Sequence, residues 1–235
     1  MSSPCLLAID TSSDLLCLGL AAGDRRWTHE QAGGALASAA LLPRVLAMLD
    51  EAGLSVRDLE AIGFGRGPGA FTGLRTACSV AQGLALGTGA PLVPVDTLAV
   101  VAESVREQCT VRDVWVAQDA RMGEVYAACY RWSGERWVTR VPPALYDPQA
   151  LQVRMREEPA DAVGGSALAL HPGLASACPQ AHPGARPAAP ALLRLALGAW
   201  QRGETVDAAA ALPLYLRDKV ALTTAEREAM RGAGP

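Results

Sequence analysis

The 235-residue chain is half hydrophobic, 19% charged and carries a formal net charge of −3. This excludes a disordered polar chain and a dedicated nucleic-acid binder with a basic stripe, because Lys219 is the only lysine among 21 basic residues and the arginines are scattered. The length suffices for one large domain or two modest ones with a real core, and an aromatic content of 5% makes that core aliphatic.

Residues 5–9 form a short apolar run that ends at Asp10. Thr11, Ser12, Ser13 and Asp14 supply turn chemistry, and 15–22 is apolar again. After the Gly23-Asp24 turn, 25–31 reads as a third strand. Residues 36–49 have helical spacing, with Leu42, Val45, Leu46 and Leu49 on one face, and Gly53 stops the helix. A strand over 61–65, a helix over 71–86, a strand over 92–95 and a helix over 97–106 follow, the last capped by Asp96 or Thr97.

The second half starts in the same way. Strands are expected over 114–117, 124–132 and 137–141, a helix over 147–156 and a short strand over 162–164. Element order alone therefore suggests a β-β-β-α-β unit used twice. The Ala/Pro-rich stretch 166–190 reads as a loop, with at most one short helical piece. Residues 190–202 form a last helix, and the polar tail after Arg217 is expected to fray. The domain reading is a first lobe over 1–108, a second over 109–189, and a C-terminal helix and tail over 190–235 that pack back on the first lobe.

None of the six cysteines (5, 17, 78, 109, 129 and 178) form C-x-x-C pairs, and a disulfide framework is not expected at this size and spacing. Residues 1–4 lack a basic leader region and no apolar run is long enough to span a bilayer. A cytoplasmic protein with no membrane contact is the expectation.

The stretch "GFGRGPGAFTGLR" at 63–75 holds five glycines and raises the question of what approaches it. A phosphate-binding P-loop needs a Gly-Lys pair, which the chain lacks. A dinucleotide-binding turn would use Gly67, Gly69 and Gly73, with Asp96 for a ribose, yet such a turn belongs on the first βα unit of an alternating fold. The third reading is structural. Gly65, Gly67, Pro68 and Gly69 turn the chain sharply off a strand. Gly73, Ala77 and Ala81 then line one stripe of the helix, where another helix of this chain or a partner can come close.

Five blocks carry a family resemblance: "AIDTSSDLLCLGL" at 8–20, "LLP" at 41–43, "GFGRGPGAFTGLRTACSVAQGLAL" at 63–86, "DARMGEVYAACY" at 119–130 and "PLYLRDKVA" at 213–221. In this order and over nearly the whole chain they resemble the TsaB family, bacterial accessory proteins of tRNA threonylcarbamoyladenosine biosynthesis. The resemblance implies an α/β fold of the actin/Hsp70/sugar-kinase (ribonuclease H-like) type, with two related lobes that each start with a three-stranded meander. It implies a non-catalytic subunit that heterodimerises with the transferase subunit TsaD and is assisted by the ATPase TsaE. The complex modifies N6 of the adenosine next to the tRNA anticodon. ATP is used by the complex and no cofactor is required by this subunit; tRNA is met indirectly. The family's dimer contact falls on the first two helices of the first lobe, here roughly 35–51 and 70–87. The residues expected to meet the partner are Leu42, Val45, Leu46, Leu49, Phe71, Gly73, Leu74, Ala77, Ala81 and Leu84; which of them face the sheet instead, the sequence leaves open.

Two alternatives remain. A weak ATP-binding or ATP-hydrolysing protein would use Asp10, Thr11 and Ser12 at the end of the first strand, with Asp119 and Arg121 in the corresponding turn of the second lobe. These same residues are also candidate contacts for the ATPase partner. A self-associating module would bury the helix pair in a homodimer when the partner is absent. No metal is expected, since His29, His171 and His182 lack the i, i+4 spacing of a metallopeptidase and Ala37 replaces a histidine common in the family. No catalytic residue is assigned.

Overall fold

The computed structural model describes residues 4–34 and 37–217. Five successive apolar or turn-forming residues with no exposed side chain, Leu6–Asp10, form the central strand β1 of the first sheet. A strand buried on both faces has to be covered on both sides, and the rest of the lobe does this. Strands β2 (Leu15–Ala22) and β3 (Arg25–Ala32) continue antiparallel from it, with Ile9 opposite Leu18 and Leu18 opposite His29. On the other side β4 (Ala61–Gly67) and β5 (Leu92–Asp96) run parallel to it. The order is β3-β2-β1-β4-β5.

Helices α1 (Ala37–Ala52) and α2 (Phe71–Thr88) cover one face of this sheet, contributing Leu41, Val45, Met48, Leu49, Ala77 and Ala81 to a core with Leu7, Ile9 and Phe64. Helix α7 (Ala189–Gln201) covers the opposite face with Leu192, Leu193 and Ala196. Pro190 stands in its first turn, where a missing N–H costs nothing.

The second sheet repeats the first. Strands β6 (Asp113–Asp119), β7 (Val125–Trp132) and β8 (Trp137–Tyr146) form an antiparallel meander, and β9 (Ala162–Gly164) and β10 (Gln180–His182) add parallel strands. Read from β8 the order is β8-β7-β6-β9-β10, the same topology as the first sheet. Two five-stranded sheets of this order, each opened by a meander and crossed by helices, are the α/β actin/Hsp70/sugar-kinase arrangement. Helices α4 (Pro148–Glu157), α5 (Ala167–Leu170) and α6 (Pro172–Ala175) cover one face of the second sheet around Trp115, Leu151 and Met155.

Helix α3 (Thr97–Arg106) covers the other face and joins the lobes. Its Glu103 is fully buried, yet it accepts hydrogen bonds from both ends of the Arg106 fork, from Arg194 on α7 and from the Trp137 indole on β8. Arg194 also pairs with Glu107. Asp96 caps α3 through Leu98 N–H and takes the Tyr130 hydroxyl of β7 at 2.7 Å.

Two expectations need correction. The stretch 166–190 is not a loop with a single helical piece: it holds α5, α6 and the fifth strand β10. The third strand of the second meander does not stop at Val141 but runs on through Pro142 and Pro143 to Tyr146. It lies at the sheet edge, where a proline removes no ladder bond on the open side. The expected helix start at Leu36 and the tail beyond Arg217 lie outside the described residues.

Candidate functional site

The glycine-rich stretch meets the chain's own first turn. β1 ends at Asp10, which is buried and receives Ser12 N–H at 2.6 Å on Oδ1 and the Thr97 hydroxyl at 3.0 Å on Oδ2. Burial pushes the Asp10 carboxyl above the ordinary carboxylate range, and these hydrogen bonds only partly offset that. The Thr97 hydroxyl in turn accepts from Ser12 Oγ and from Gly67 N–H, both at 3.2 Å. The chain after β4 is laid directly on this turn. A Cβ on Gly65 would overlap the Asp10 carboxylate, one on Gly69 the Ser12 carbonyl, and one on Gly73 the Thr11 carbonyl. Ala70 N–H donates to Ser12 O at 2.7 Å, and Thr11 Oγ1 donates to Gly73 O at 2.7 Å. Gly65, Gly69 and Gly73 thus pack against Asp10, Ser12 and Thr11, while Gly67, before Pro68, faces the Leu74 side chain and the Leu214 carbonyl instead.

The facing turn of the second lobe follows β6. Asp119 accepts Arg121 N–H at 2.8 Å and pairs with its guanidinium at 3.1 Å. Arg121 and Met122 both hold left-handed backbone, φ 64° and 57°, which folds this turn tightly before Gly123. Arg121 also reaches Asp14 across the cleft at 3.5 Å. Both pairs are solvent-exposed on the arginine side and contribute little stability.

Between the turns lies a cleft of about 470 Å³, bordered by Ser13, Phe71, Gln118, Tyr126, Ser166 and Leu170. The C-terminal segment 214–217 runs along its edge. Leu214 N–H donates to Arg66 O at 2.7 Å, Tyr215 lies 5.4 Å from the Phe71 ring, and Arg217 pairs with Glu124 and donates to Arg121 O. Asp96, the candidate ribose ligand of the dinucleotide reading, has both carboxylate oxygens engaged by Leu98 N–H and Tyr130. That reading is set aside.

The helix pair presents two distinct faces. Val45, Leu49, Gly73, Leu74, Ala77, Ala81 and Leu84 are buried in this lobe, so the small-residue stripe packs on its own sheet. Leu42 and Leu46 of α1 are exposed at 43% and 46%, Phe71 at 36% and Leu86 of α2 at 80%. Gly83 and Gly87 are also exposed, and a Cβ on either would meet nothing within 4 Å. The two helices pack against each other on one face of the sheet, and these exposed side chains stand on their outer sides. Leu86 and Gly87 were not among the expected residues; their signal was the i, i+3 and i, i+4 continuation of Gly83 along the outer side of α2.

The histidines do not come together: His29 bonds Gln31 and Arg44, His171 lies between α5 and α6, and His182 on β10 faces Cys109 at 3.5 Å. Among the described residues no group of three or more His, Cys, Asp and Glu is placed to hold a metal ion, and no helix is long and apolar enough to cross a membrane. The cysteines are free thiols.

A protein from Escherichia coli (strain K12) named tRNA threonylcarbamoyladenosine biosynthesis protein TsaB is 33% identical over 226 residues, 92% of this chain and 96% of that one. The chain belongs to the TsaB family. A TsaB from Haemophilus influenzae is 38% identical over 131 residues, 54% of this chain and 53% of that one. The solved structure titled YeaZ from Pseudomonas aeruginosa superposes with a TM-score of 0.82 at 36% identity, covering 91% of this chain and all of that one. The family model described as TsaD: tRNA N6-adenosine threonylcarbamoyltransferase matches residues 28–171 of this TsaB family chain.

Proposed function

We propose that this chain takes part in the biosynthesis of tRNA threonylcarbamoyladenosine as a non-catalytic scaffold subunit. Its partner is the threonylcarbamoyl transferase subunit TsaD, which docks on the outer face of α1 and α2. The observation that carries this reading is the exposure of Leu42 and Leu46 on α1 and of Leu86 on α2, where Gly83 and Gly87 leave the helix backbone bare. Glycine inside a helix costs about 1 kcal/mol relative to alanine. Close approach by a partner helix compensates that cost, as small residues do wherever helices pack tightly.

The turn at Asp10 supports a non-catalytic role. Its carboxylate is committed to Ser12 and Thr97, and its approach side is filled by Gly65, Gly69 and Gly73. ATP is accordingly consumed elsewhere in the complex, by TsaE, and tRNA reaches this chain only through its partners. The reaction places the subunit in the cytoplasm. When TsaD is absent, the same helix face buries itself against a second copy.

The test is association with purified TsaD, followed by reconstituted tRNA modification. Leu46→Glu puts a charge on the exposed face without touching the core. We expect it to weaken heterodimer formation by about tenfold or more and to lower modification in parallel, with an unchanged melting temperature. Unchanged association would place the interface elsewhere.

A further inference from the structure

Four of the large exposed hydrophobic side chains gather around the cleft: Phe71 at the start of α2, Met122, Leu170 and Tyr215. They come from both lobes and from the C-terminal segment that bridges them. Arg75 stands among them, one helical turn after Phe71. Its guanidinium carbon lies 3.9 Å from the centre of the Phe71 ring and 5.9 Å from that of Tyr215, and its Nε donates to the Tyr215 hydroxyl at 3.1 Å.

The neighbouring cations are neutralised: Arg121 by Asp119 and Asp14, Arg217 by Glu124. Among the described residues no carboxylate pairs with Arg75. The Phe71 ring and the ring and hydroxyl of Tyr215 therefore hold an exposed guanidinium in one orientation, with both Nη groups left to offer a forked pair of donors. Ordering a long side chain in advance removes much of the entropy cost of binding through it. An aromatic-flanked arginine in an apolar ring is also the composition of an interface anchor.

We infer that Arg75, held between Phe71 and Tyr215, is a docking anchor for a protein partner of the assembly. That partner presents a carboxylate to the fork and an apolar side chain to the Phe71–Tyr215–Met122 rim. A bidentate carboxylate supplies the charge this arginine lacks, and a neutral or basic segment would leave it unpaired. This contact is separate from Leu42 and Leu46, although it rests on the reading that the chain works as a subunit.

The experiment measures binding of the wild-type chain, Arg75→Gln, Arg75→Lys and Leu46→Glu to purified TsaD and to TsaE with TsaD, at low and at high salt. Arg75 is exposed, and circular dichroism and melting confirm that each variant folds. Arg75→Gln is expected to lose about tenfold or more in affinity for one of these partners, and the loss shrinks as salt rises. Arg75→Lys keeps the charge but not the fork and recovers only part. Leu46→Glu keeps the salt-dependent term. Equal affinity of Arg75→Gln and wild type for both partners overturns the anchor while leaving the subunit reading intact. A wild-type chain that binds neither partner overturns both. Loss only of tRNA retention, or only of self-association in sedimentation, assigns the guanidinium to a phosphate or to a second copy and overturns the carboxylate partner.

Discussion

Thr11 Oγ1 donates to the carbonyl oxygen of Gly73 across 62 positions of sequence, and the Thr11 carbonyl occupies the space where a Gly73 side chain would stand. The first turn of the protein and the start of α2 are thus built into each other. Gly73→Ala forces a methyl group onto backbone that cannot yield, and a loss of about 3 kcal/mol in urea unfolding is expected. Gly83→Ala, ten residues on in the same helix, meets nothing within 4 Å and should stabilise the isolated chain by about 0.5–1 kcal/mol. Similar losses for both would mean that helix propensity alone decides, and that the contact with Thr11 is incidental.

The same packing closes the site a nucleotide would need. With Gly65, Gly69 and Gly73 laid on Asp10, Thr11 and Ser12, a phosphate cannot take the inner side of the turn without displacing them. Magnesium ATP at about 1 mM should leave the melting temperature of the isolated chain unchanged. A dissociation constant below about 0.1 mM would stabilise the fold by more than 1 kcal/mol at that concentration, and a shift of that size would restore the enzyme reading.

Much of this architecture was legible because β1, β2, β4 and β5 are short apolar runs with turn residues at their ends, and the two meanders announce themselves by spacing. β10 was not legible. It is three residues long, contains one half-buried histidine, and lies between Pro179 and Pro183, so neither alternation nor composition marks it. Only its parallel register with β9 makes it a strand. The orientation of α2 was hidden for a different reason. Small and apolar residues occur all round that helix, so its period does not say which side meets the sheet. Structure resolves this through Ala77 and Ala81, whose size suits close approach to the sheet as well as to a partner. Arg75 and Tyr215 each lay inside a motif block, but 140 positions separate them and nothing local pairs them.

Asp10 offers a test by pH. Burial raises its carboxyl in the folded chain, against the hydrogen bonds from Ser12 and Thr97. A group whose folded pKa is raised contributes stability that is complete below its unfolded value, about 3.9, and is lost as pH rises through the folded value. Asp10→Asn keeps an acceptor for Ser12 N–H and lets Thr97 turn its hydroxyl toward Ser12 Oγ. Its stability should therefore fall less than that of wild type as pH is raised from about 4 to neutrality. Asp10→Ala, which leaves Ser12 N–H and Thr97 without their acceptor, should lose about 1–3 kcal/mol at every pH. A loss above about 2 kcal/mol for Asp10→Asn at neutral pH would show that the charge itself is required.

Glu103 carries the opposite sign. Burial opposes its charge, but hydrogen bonds from Arg106 and Trp137 and the charges of Arg106 and Arg194 outweigh that and hold the carboxyl below its ordinary value. Its contribution is complete above the unfolded pKa, about 4.3, and is lost as pH falls through the lowered folded value. Because the donors come from α3, α7 and β8, that contribution also fastens the second lobe to the helix covering the first. Glu103→Gln removes the charge and aims an amide at a guanidinium, so about 2–3 kcal/mol should be lost near pH 7, moderated by the partial exposure of both arginines. The gap between variant and wild type should narrow below about pH 4. Hydrogen exchange should quicken in β8 and α7 together, and exchange that quickens in only one of them would mean that Glu103 stabilises a single lobe rather than the joint between two.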